Sequence, residues 1–499
     1  MLVTCRQMQE IEASAFAEGV SAAELMEQAG SGIAKVVQQF FPVPGTLILY
    51  LGSGNNAGDA LVAARHLQKV GWQILARLSG EPERMKALPL KHWQHLGSTI
   101  EPLQSPPRTI SQQPCVLLDG LLGIGSAGPL RSPLKSLAAE MNALRLDVGA
   151  LTIAMDIPSG LDGDTGKPQE DAVIADITTT VAYVKKGLLA DEAINHVGRL
   201  ALIPLPDLAP YADTVSDSAQ LLTPAYLSPF LPRRPFDFHK GQAGRVGILA
   251  GSPGYFGAAE LACRGALRAG AGLVTLIVKA EAYDTLAKRM PAEVMVRSVE
   301  DYRDVLDLPW NALAIGPGLG FTHEAEYLEV IQKAHVPVVI DADALTALAC
   351  QKGSFLANCT APRLLTPHPG EMARLRPNTT ALPRRKQAEN WAAENPAHTL
   401  LLKGARTIIA TQGHATLFNS TGHPGMATGG MGDVLTGVSA ALLGQGIPLP
   451  HSAGLAAWLC GRAAELHARN QAPESTLPSD VIDHLGKAWR ELALTTSVY

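Results

Sequence analysis

Residues Gly425 to Gly437 read Gly-Met-Ala-Thr-Gly-Gly-Met-Gly-Asp-Val-Leu-Thr-Gly. Glycines crowd one turn, an acid follows, and an apolar helix-like run from Val434 to Leu443 comes next. Glycine lets backbone amides approach a phosphate closely, and a helix N-terminus favours negative charge. Asp433 then falls in the first helical turn, so this stretch can hold an anion and a base side by side. A buried glycine-rich helix packed on a sheet is the competing explanation, but packing does not account for the acid. A second turn of this kind lies far upstream. The apolar run Leu47–Leu51 leads into Gly52-Ser53-Gly54-Asn55-Asn56-Ala57-Gly58-Asp59-Ala60, and a helix-like stretch Leu61–Lys69 follows. Strand, glycine loop and helix in that order make a phosphate-binding turn, although neither the P-loop lysine nor the full dinucleotide spacing is present.

Other chemistry-bearing residues stand at the ends of apolar runs. Asp119 closes one and precedes the loop Gly123-Ile124-Gly125-Ser126-Ala127-Gly128-Pro129. Asp156 closes another and precedes Ile157-Pro158-Ser159-Gly160. Carboxylates, amide oxygens, a hydroxyl and free backbone amides gathered at strand ends suit an alkali or alkaline-earth ion, or a phosphorylated ligand. Any single strand-end aspartate can equally be a cap or turn former. In the second half, Gly251–Ala259, Gly316-Pro317-Gly318-Leu319-Gly320, Asp341-Ala342-Asp343, Pro367-His368-Pro369-Gly370-Glu371 and Lys403-Gly404-Ala405-Arg406-Thr407 each follow an apolar run. His368 is held between two prolines that restrict its backbone, which favours ligand contact. Lys403 suits a phosphate or ribose.

The elements that must position these groups alternate between short apolar runs and helical stretches. Residues 4–40 read as helical. Strands are expected at 47–51, 73–78, 115–119, 151–156, 178–184 and 199–203, then at 245–250, 273–278, 312–315, 336–340, 363–366, 399–402 and 407–411. The runs are nearly continuous rather than alternating, as in a parallel sheet covered on both faces. Prolines at 204, 206, 210, 224, 229, 232 and 235 mark a change of character between the two series. The expected fold is therefore α/β in two domains, 1–215 and 222–499.

At 499 residues with 46% hydrophobic and 17% charged side chains, the chain has ample material for two cores. A net charge of −5 gives no broad footprint for nucleic acid. No uncharged apolar stretch reaches the ~18–20 residues of a membrane span. The early residues lack a signal-peptide pattern. Six scattered cysteines with no CxxC pair suit a reducing cytoplasm.

Asn55-Asn56-Ala57-Gly58-Asp59, Asp119 with its glycine loop, Asp156-Ile157-Pro158-Ser159-Gly160 and Leu25-Met26-Glu27-Gln28-Ala29-Gly30 resemble the NAD(P)H-hydrate epimerase (YjeF N-terminal) domain over roughly residues 1–210. That resemblance implies a Rossmann-like three-layer α/β/α sandwich. It implies that Asn56, Asp119 and Ser159 hold potassium. Asn55, Asn56, Ala57, Gly58, Asp59, the loop Gly123, Ile124, Gly125, Ser126, Ala127, Gly128 and Pro129, and Asp156 would contact hydrated NADH or NADPH. Asp156 is the expected acid–base group. The family loop usually carries glycine where Ala57 and Ala60 stand, and alanine costs about 1 kcal/mol or more wherever positive φ is required.

Roughly residues 225–495, through the Gly316–Gly320 turn, the His-Pro-Gly-Glu loop and the Gly-Met-Gly-Asp turn, resemble the ribokinase-like ADP-dependent NAD(P)H-hydrate dehydratase domain. By that resemblance Ala258, Gly318, His368 and Asp433 contact the hydrate. Lys403, Gly404, Ala405, Arg406, Thr407 and Gly432 contact ADP, which arrives with magnesium, and Asp433 is the catalytic base. The combined expectation is a bifunctional isomerase and hydro-lyase, a homo-oligomer acting on small molecules, with no nucleic-acid or membrane partner. The competing expectation is a ribokinase-like small-molecule kinase fused to a non-catalytic nucleotide- or RNA-binding domain.

Overall fold

In the computed structural model of the chain, residues 1–96, 99–107, 113–125, 128–212, 217–351 and 355–494 are described. They fall into two compact units, one from Met1 to Ala219 and the other beginning at Gln220.

The first unit contains β1 (Leu2–Val3), β2 (Thr46–Leu51), β3 (Gln73–Leu78), β4 (Glu101–Pro102), β5 (Cys115–Gly120), β6 (Leu151–Met155), β7 (Ile177–Val181), β8 (Val184–Lys185) and β9 (Arg199–Ile203). Its main sheet runs β4-β3-β2-β5-β6-β7-β9, with every pair parallel. Successive residues of β2 serve opposite faces. Leu47, Leu49 and Leu51 pack with Ile33, Val37 and Leu61 from the helices Ala22–Phe40 and Asn55–Gln68. Ile48 and Tyr50 pack with Leu137 and Met141 of the helix Leu134–Asp147. Burial on both faces explains the continuous apolar runs and makes three layers.

The expected helical lead-in is two helices, Cys5–Ala17 and Ala22–Phe40, parted at Gly19, whose φ of 94° only glycine adopts readily. The single strand expected at 178–184 is likewise two. Ala182 takes a φ of 58°, and Val184–Lys185 turns away to pair with β1. Ala57 and Ala60 lie inside the helix Asn55–Gln68, fully buried and without positive φ, so the backbone strain considered for them does not arise.

The second unit contains β10 (Gln220–Leu221), β11 (Arg245–Leu249), β12 (Leu273–Val278), β13 (Val294–Ser298), β14 (Ala312–Ile315), β15 (Val338–Ile340), β16 (Arg363–Leu365), β17 (Thr399–Leu402), β18 (Thr407–Thr411) and β19 (Leu417–Asn419). The order is β10-β19-β18-β17-β16-β15-β14-β11-β12-β13, parallel except at β17–β18 and β18–β19. Strands β10, β13 and β19 go beyond the sequence expectation. Val246 and Ile248 share an apolar cluster with Val434 and Val438 of the helix Met431–Gly444. Gly437 has a packing role there, because a Cβ would stand 1.9 Å from the Ala262 carbonyl oxygen on the crossing helix Phe256–Arg268.

All six cysteines are free thiols. No helix among the described residues is long and apolar enough to cross a membrane.

Gln220 donates to the Thr416 carbonyl at 2.9 Å, and Leu222 donates to the Phe418 carbonyl at 2.8 Å. A fragment starting at 220 keeps β10, whereas one starting at 222 bares the edge of β19. The 220–499 fragment is expected to melt at the higher temperature of the two in paired thermal denaturation. Equal melting temperatures would show that β10 adds nothing.

Candidate functional site

A sheet wound outward in both directions from its middle leaves a crevice where the strand order reverses, because the neighbouring strand exits turn to opposite faces. The first sheet reverses between β2 and β5, the second between β11 and β14.

In the first unit the β2 and β5 exits run so close that a Cβ on Gly52 would stand 2.0 Å from the Leu121 carbonyl oxygen. Asn56 ties the exits together. Its amide nitrogen donates to the Leu122 carbonyl at 2.7 Å and to the Met155 carbonyl at 3.1 Å. Its Oδ1 takes no hydrogen bond among the described residues. Asp119, fully buried, accepts from the Ser159 N–H and hydroxyl, each at 2.7 Å, and from the Leu121 N–H at 3.2 Å. Burial pushes its carboxyl up to about 6 against those hydrogen bonds. The Ser159 hydroxyl also accepts from the Leu122 N–H at 3.0 Å. Asn56, Asp119 and Ser159 thus form one linked group. A small cavity of about 20 Å³ lies beside it, lined among others by Leu122, Gly123, Ser159 and Gly160.

A larger cleft of about 660 Å³ opens over these exits. Asn55, Asn56, Asp59, Gly123, Ile124, Gly125 and Asp156 line it, as do Glu12 and Lys185. Ala57 packs into the apolar core and Gly58 faces Met26, so neither expected contact lines the cleft. Gly128 and Pro129 are also not among its lining residues. Ser126 and Ala127 lie outside the described residues.

Asp156 adopts a φ of 63°, a left-handed conformation uncommon for a residue with a side chain. Its Oδ1 accepts the Val181 N–H at 3.2 Å and the ammonium group of Lys185. Lys185, 1% exposed, also donates to the Val181 carbonyl at 2.9 Å. Sequence reasoning missed Lys185, although it closes an apolar run just as Asp119 and Asp156 do. Glu12, on the first helix, carried no local signal at all. Burial, then Asp156 and Glu12, hold the Asp59 carboxyl well above the usual carboxylate range. Glu12 is raised by burial and Asp156, and Lys185 opposes the shift.

In the second unit, Gly251 donates to the Pro317 carbonyl at 2.9 Å and the Ser252 hydroxyl to the Gly318 carbonyl at 3.0 Å, joining the β11 and β14 exits. Gly318 has a φ of 57°, and a Cβ there would stand 2.6 Å from Tyr255 Cβ and 3.2 Å from Ala258 Cβ. Asp341, following β15, is nearly sealed. Its Oδ1 accepts from Lys403 Nζ at 2.8 Å and its Oδ2 from the Thr436 hydroxyl at 2.7 Å. A Cβ on Gly432 would stand 3.3 Å from Lys403 Nζ, which places the ammonium at the N-terminus of the helix Met431–Gly444. Gly430 precedes that helix at a φ of 97°, and the first N–H groups of the helix have no intrahelical partner. Asp433, in that turn, is pushed up to about 7 by burial and by Asp341 and Asp343, with Lys403 opposing. Burial lowers Lys403, but Asp341 and Glu371 outweigh it, so its ammonium is held above its ordinary range.

His368 caps the helix Pro369–Leu375. Its Nδ1 accepts from the N–H groups of Gly370 at 3.0 Å and Glu371 at 3.2 Å, while Glu371 accepts the His368 N–H at 2.8 Å. His368 Nε2 lies 3.5 Å from Glu371 Oε1, and the side chain is still 51% exposed. Arg406 is only 2% exposed, so its side chain is withdrawn, whereas Gly404 and Ala405 are exposed. Thr407 donates back to the Gly404 carbonyl at 3.2 Å.

Comparison with known proteins follows the same division. Residues 22–187 match a family model described as YjeF-related protein N-terminus, and residues 246–487 match one described as NAD(P)H-hydrate dehydratase. The bifunctional NAD(P)H-hydrate repair enzyme Nnr of Moorella thermoacetica is 35% identical, over 98% of this chain and 97% of its own. Its namesake from Coxiella burnetii is 33% identical, over 96% and 97%. A crystal structure of ADP/ATP-dependent NAD(P)H-hydrate dehydratase from Bacillus subtilis, co-crystallised with ATP and Mg2+, is 29% identical. It covers 55% of this chain and 99% of its own, with a TM-score of 0.48.

The raised Asp433 carboxyl has a consequence for stability. A group whose folded pKa exceeds its unfolded value stabilises the fold below the unfolded pKa and loses that contribution as pH rises through the folded one. For Asp433 the window runs from 3.8 to about 7. Asp433→Asn is therefore expected to match the wild type below about pH 4 and to melt at a higher temperature above about pH 7. Thermal denaturation across that range is the check, and parallel curves would place the carboxyl in solvent.

Proposed function

Since the chain belongs to the family of bifunctional NAD(P)H-hydrate repair enzymes, we propose that its two units perform successive steps on hydrated NADH and NADPH. The first interconverts the R and S hydrates at C6. The second dehydrates the S hydrate with ADP, releasing AMP and phosphate. The observation that carries this reading is Asp433, a half-buried acid in the first turn of a helix, with the Lys403 ammonium beside Gly432 in that same turn.

A base with a pKa near neutrality is matched to take a proton from a hydroxyl at working pH. Asp433 takes that proton from the C6 hydroxyl. The amides of the turn at Gly429–Gly432, with Lys403 beside Gly432, stabilise the charge on the phosphoryl group as it transfers. The ring nitrogen then expels phosphate and the double bond returns. Lys403 is kept charged and in place by Asp341, which Thr436 fixes from the other side.

No group of three or more metal-ligating His, Cys, Asp or Glu side chains occurs among the described residues, and Asp341 and Glu371 are held by Lys403, Thr436 and a backbone N–H. That arrangement suits magnesium carried by the nucleotide phosphates rather than by a protein cage. Bound there, it would neutralise phosphate charge.

In the first unit, Asp156 is the acid–base group, with Lys185 holding one of its oxygens. The oxygens of Asn56, Asp119 and Ser159 are hard donors of the kind that fits potassium, and Ser159 lines the water-sized cavity. A buried carboxylate with neutral donors alone leaves a negative charge that a monovalent cation would balance.

The test uses hydrated NADH with the full-length protein, following both the absorbance of regenerated NADH and the epimer ratio by chromatography. Asp433→Asn should lower ADP-dependent dehydration at least ~10²-fold and leave epimerisation unchanged, and Asp156→Asn should do the reverse. Sodium in place of potassium should slow epimerisation alone. Dehydration retained by Asp433→Asn would remove it from the mechanism. If neither reaction occurs in the wild type, the assignment fails.

A further inference from the structure

In the first-unit cleft Glu12, Asp59 and Asp156 lie near one another, and the Lys185 ammonium faces Glu12 and Asp156. The lysine is already committed. Its ammonium is bound by Asp156 Oδ1 and the Val181 carbonyl, and its side chain is 1% exposed. Asp59 differs from Asp156 in every respect that matters to a proton. It stands one turn into the helix Asn55–Gln68, whose Ala57, Ala60 and Leu61 are buried, so its backbone is anchored. No hydrogen bond or ion pair holds its carboxyl among the described residues, and its charged neighbours Asp156 and Glu12 are both acids. Of the other charged residues at the cleft, Glu81, Arg84 and Lys86 belong to the segment just before the helix Ala87–Leu96. Glu12 is the weaker candidate, because it faces Lys185 as well as Asp156.

We propose that Asp59 is a second catalytic proton-transfer group in this cleft, donating to the ring nitrogen of the hydrate while the Asp156 carboxylate accepts the proton of the C6 hydroxyl. The inference rests on the epimerase reading of the first unit. The C6–N1 bond breaks, and its electron pair goes to N1, which takes the Asp59 proton. The C6–O bond becomes a carbonyl as Asp156 takes the hydroxyl proton. Rotation about C5–C6 presents the other face of the aldehyde. Reversal of both transfers closes the ring as the other epimer and returns each proton to its starting group. No oxidant or co-reactant is needed. Two groups with different surroundings are needed: Asp59 has no hydrogen-bond donor among the described residues and two acidic neighbours, which favour its protonated form, while Asp156 accepts from the Lys185 ammonium and the Val181 N–H.

The experiment measures kcat and KM for epimerisation against pH, using the full-length wild type, Asp59→Asn and Asp59→Glu. The wild-type rate should fall on the alkaline side as the donor loses its proton. Asp59→Asn should lower kcat about 100-fold with KM within about threefold, and should abolish the alkaline fall. Asp59→Glu should recover part of the rate. ADP-dependent dehydration of the S hydrate by the same preparations, together with their melting curves, checks folding. An alkaline fall that persists in Asp59→Asn shows that another group supplies the proton and overturns the proposal. A raised KM with unchanged kcat reduces Asp59 to a binding group and overturns it too. If Asp59→Asn does not fold, the wild-type profile decides, and a rate that stays flat to about pH 10 rejects a carboxylic acid donor. A wild type that epimerises while Asp59→Asn does so at full rate overturns Asp59 alone. A wild type that does not epimerise overturns the reading of the cleft.

Discussion

Both clefts of this chain depend on the place where each sheet reverses its winding. Between β2 and β5, and again between β11 and β14, neighbouring strands send their chains to opposite faces and leave backbone groups without a neighbour. The exits must still run close together, which sets the residue types there. Gly52 admits the Leu121 carbonyl, and Gly318 admits Tyr255. Cross-links then hold the exits in register, through Asn56 in one unit and Ser252 in the other. The glycines at these turns are first a solution to crowding. The amides they leave bare are the consequence that a ligand can use.

Each crevice also contains more acid than base, and the division of charge follows one pattern. Lys185 is committed to Asp156, and Lys403 to Asp341. In each site the lysine secures one carboxylate and leaves a neighbouring carboxyl, Asp59 or Asp433, in a desolvated place beside like charge. A buried acid so placed keeps its proton to higher pH. A surface pair could not do this, because solvent would screen both the attraction and the repulsion. On the proposed reading, burial of the lysines matters to the chemistry as much as the acids they touch.

Most of the sheet framework was legible because strands buried on both faces are nearly continuous apolar runs. Gln73–Leu78, Arg199–Ile203 and Thr407–Thr411 coincide with the expected spans. The failures are at edges. Strand β13 carries Met295, 47% exposed, and Arg297, so its half-buried face broke the pattern, and β10 and β19 are too short to show one. The turns with Asp433 and Asp156 were legible because glycine, strand end and acid fall together within a few residues. Lys185 closes an apolar run as Asp156 does but has no glycine-rich turn beside it, and Glu12 joins the cleft through folding alone. Glu12 is 144 residues from Asp156 (156 − 12). His368 shows the opposite limit. Its fixed loop was readable, but its role as a helix cap appears only when the two amides it accepts are seen. Arg406 follows Lys403 in sequence, yet its side chain turns inward.

On the proposed reading, the two reactions need no shared active site. Epimerisation is a balanced exchange between two hydrates and has no driving force of its own. Dehydration that consumes a phosphoanhydride and releases phosphate is strongly downhill. Removal of the S hydrate therefore draws the R hydrate through the first unit by mass action, and free diffusion of the substrate is enough to couple them. What the fusion sets is stoichiometry, one epimerising cleft for every dehydrating one. Such a chain works best when epimerisation is not the slower step. That condition gives a physical reason for a pair of proton-transfer groups in the first cleft, since ring opening with only one of them would leave an uncompensated charge on nitrogen or oxygen in a desolvated site.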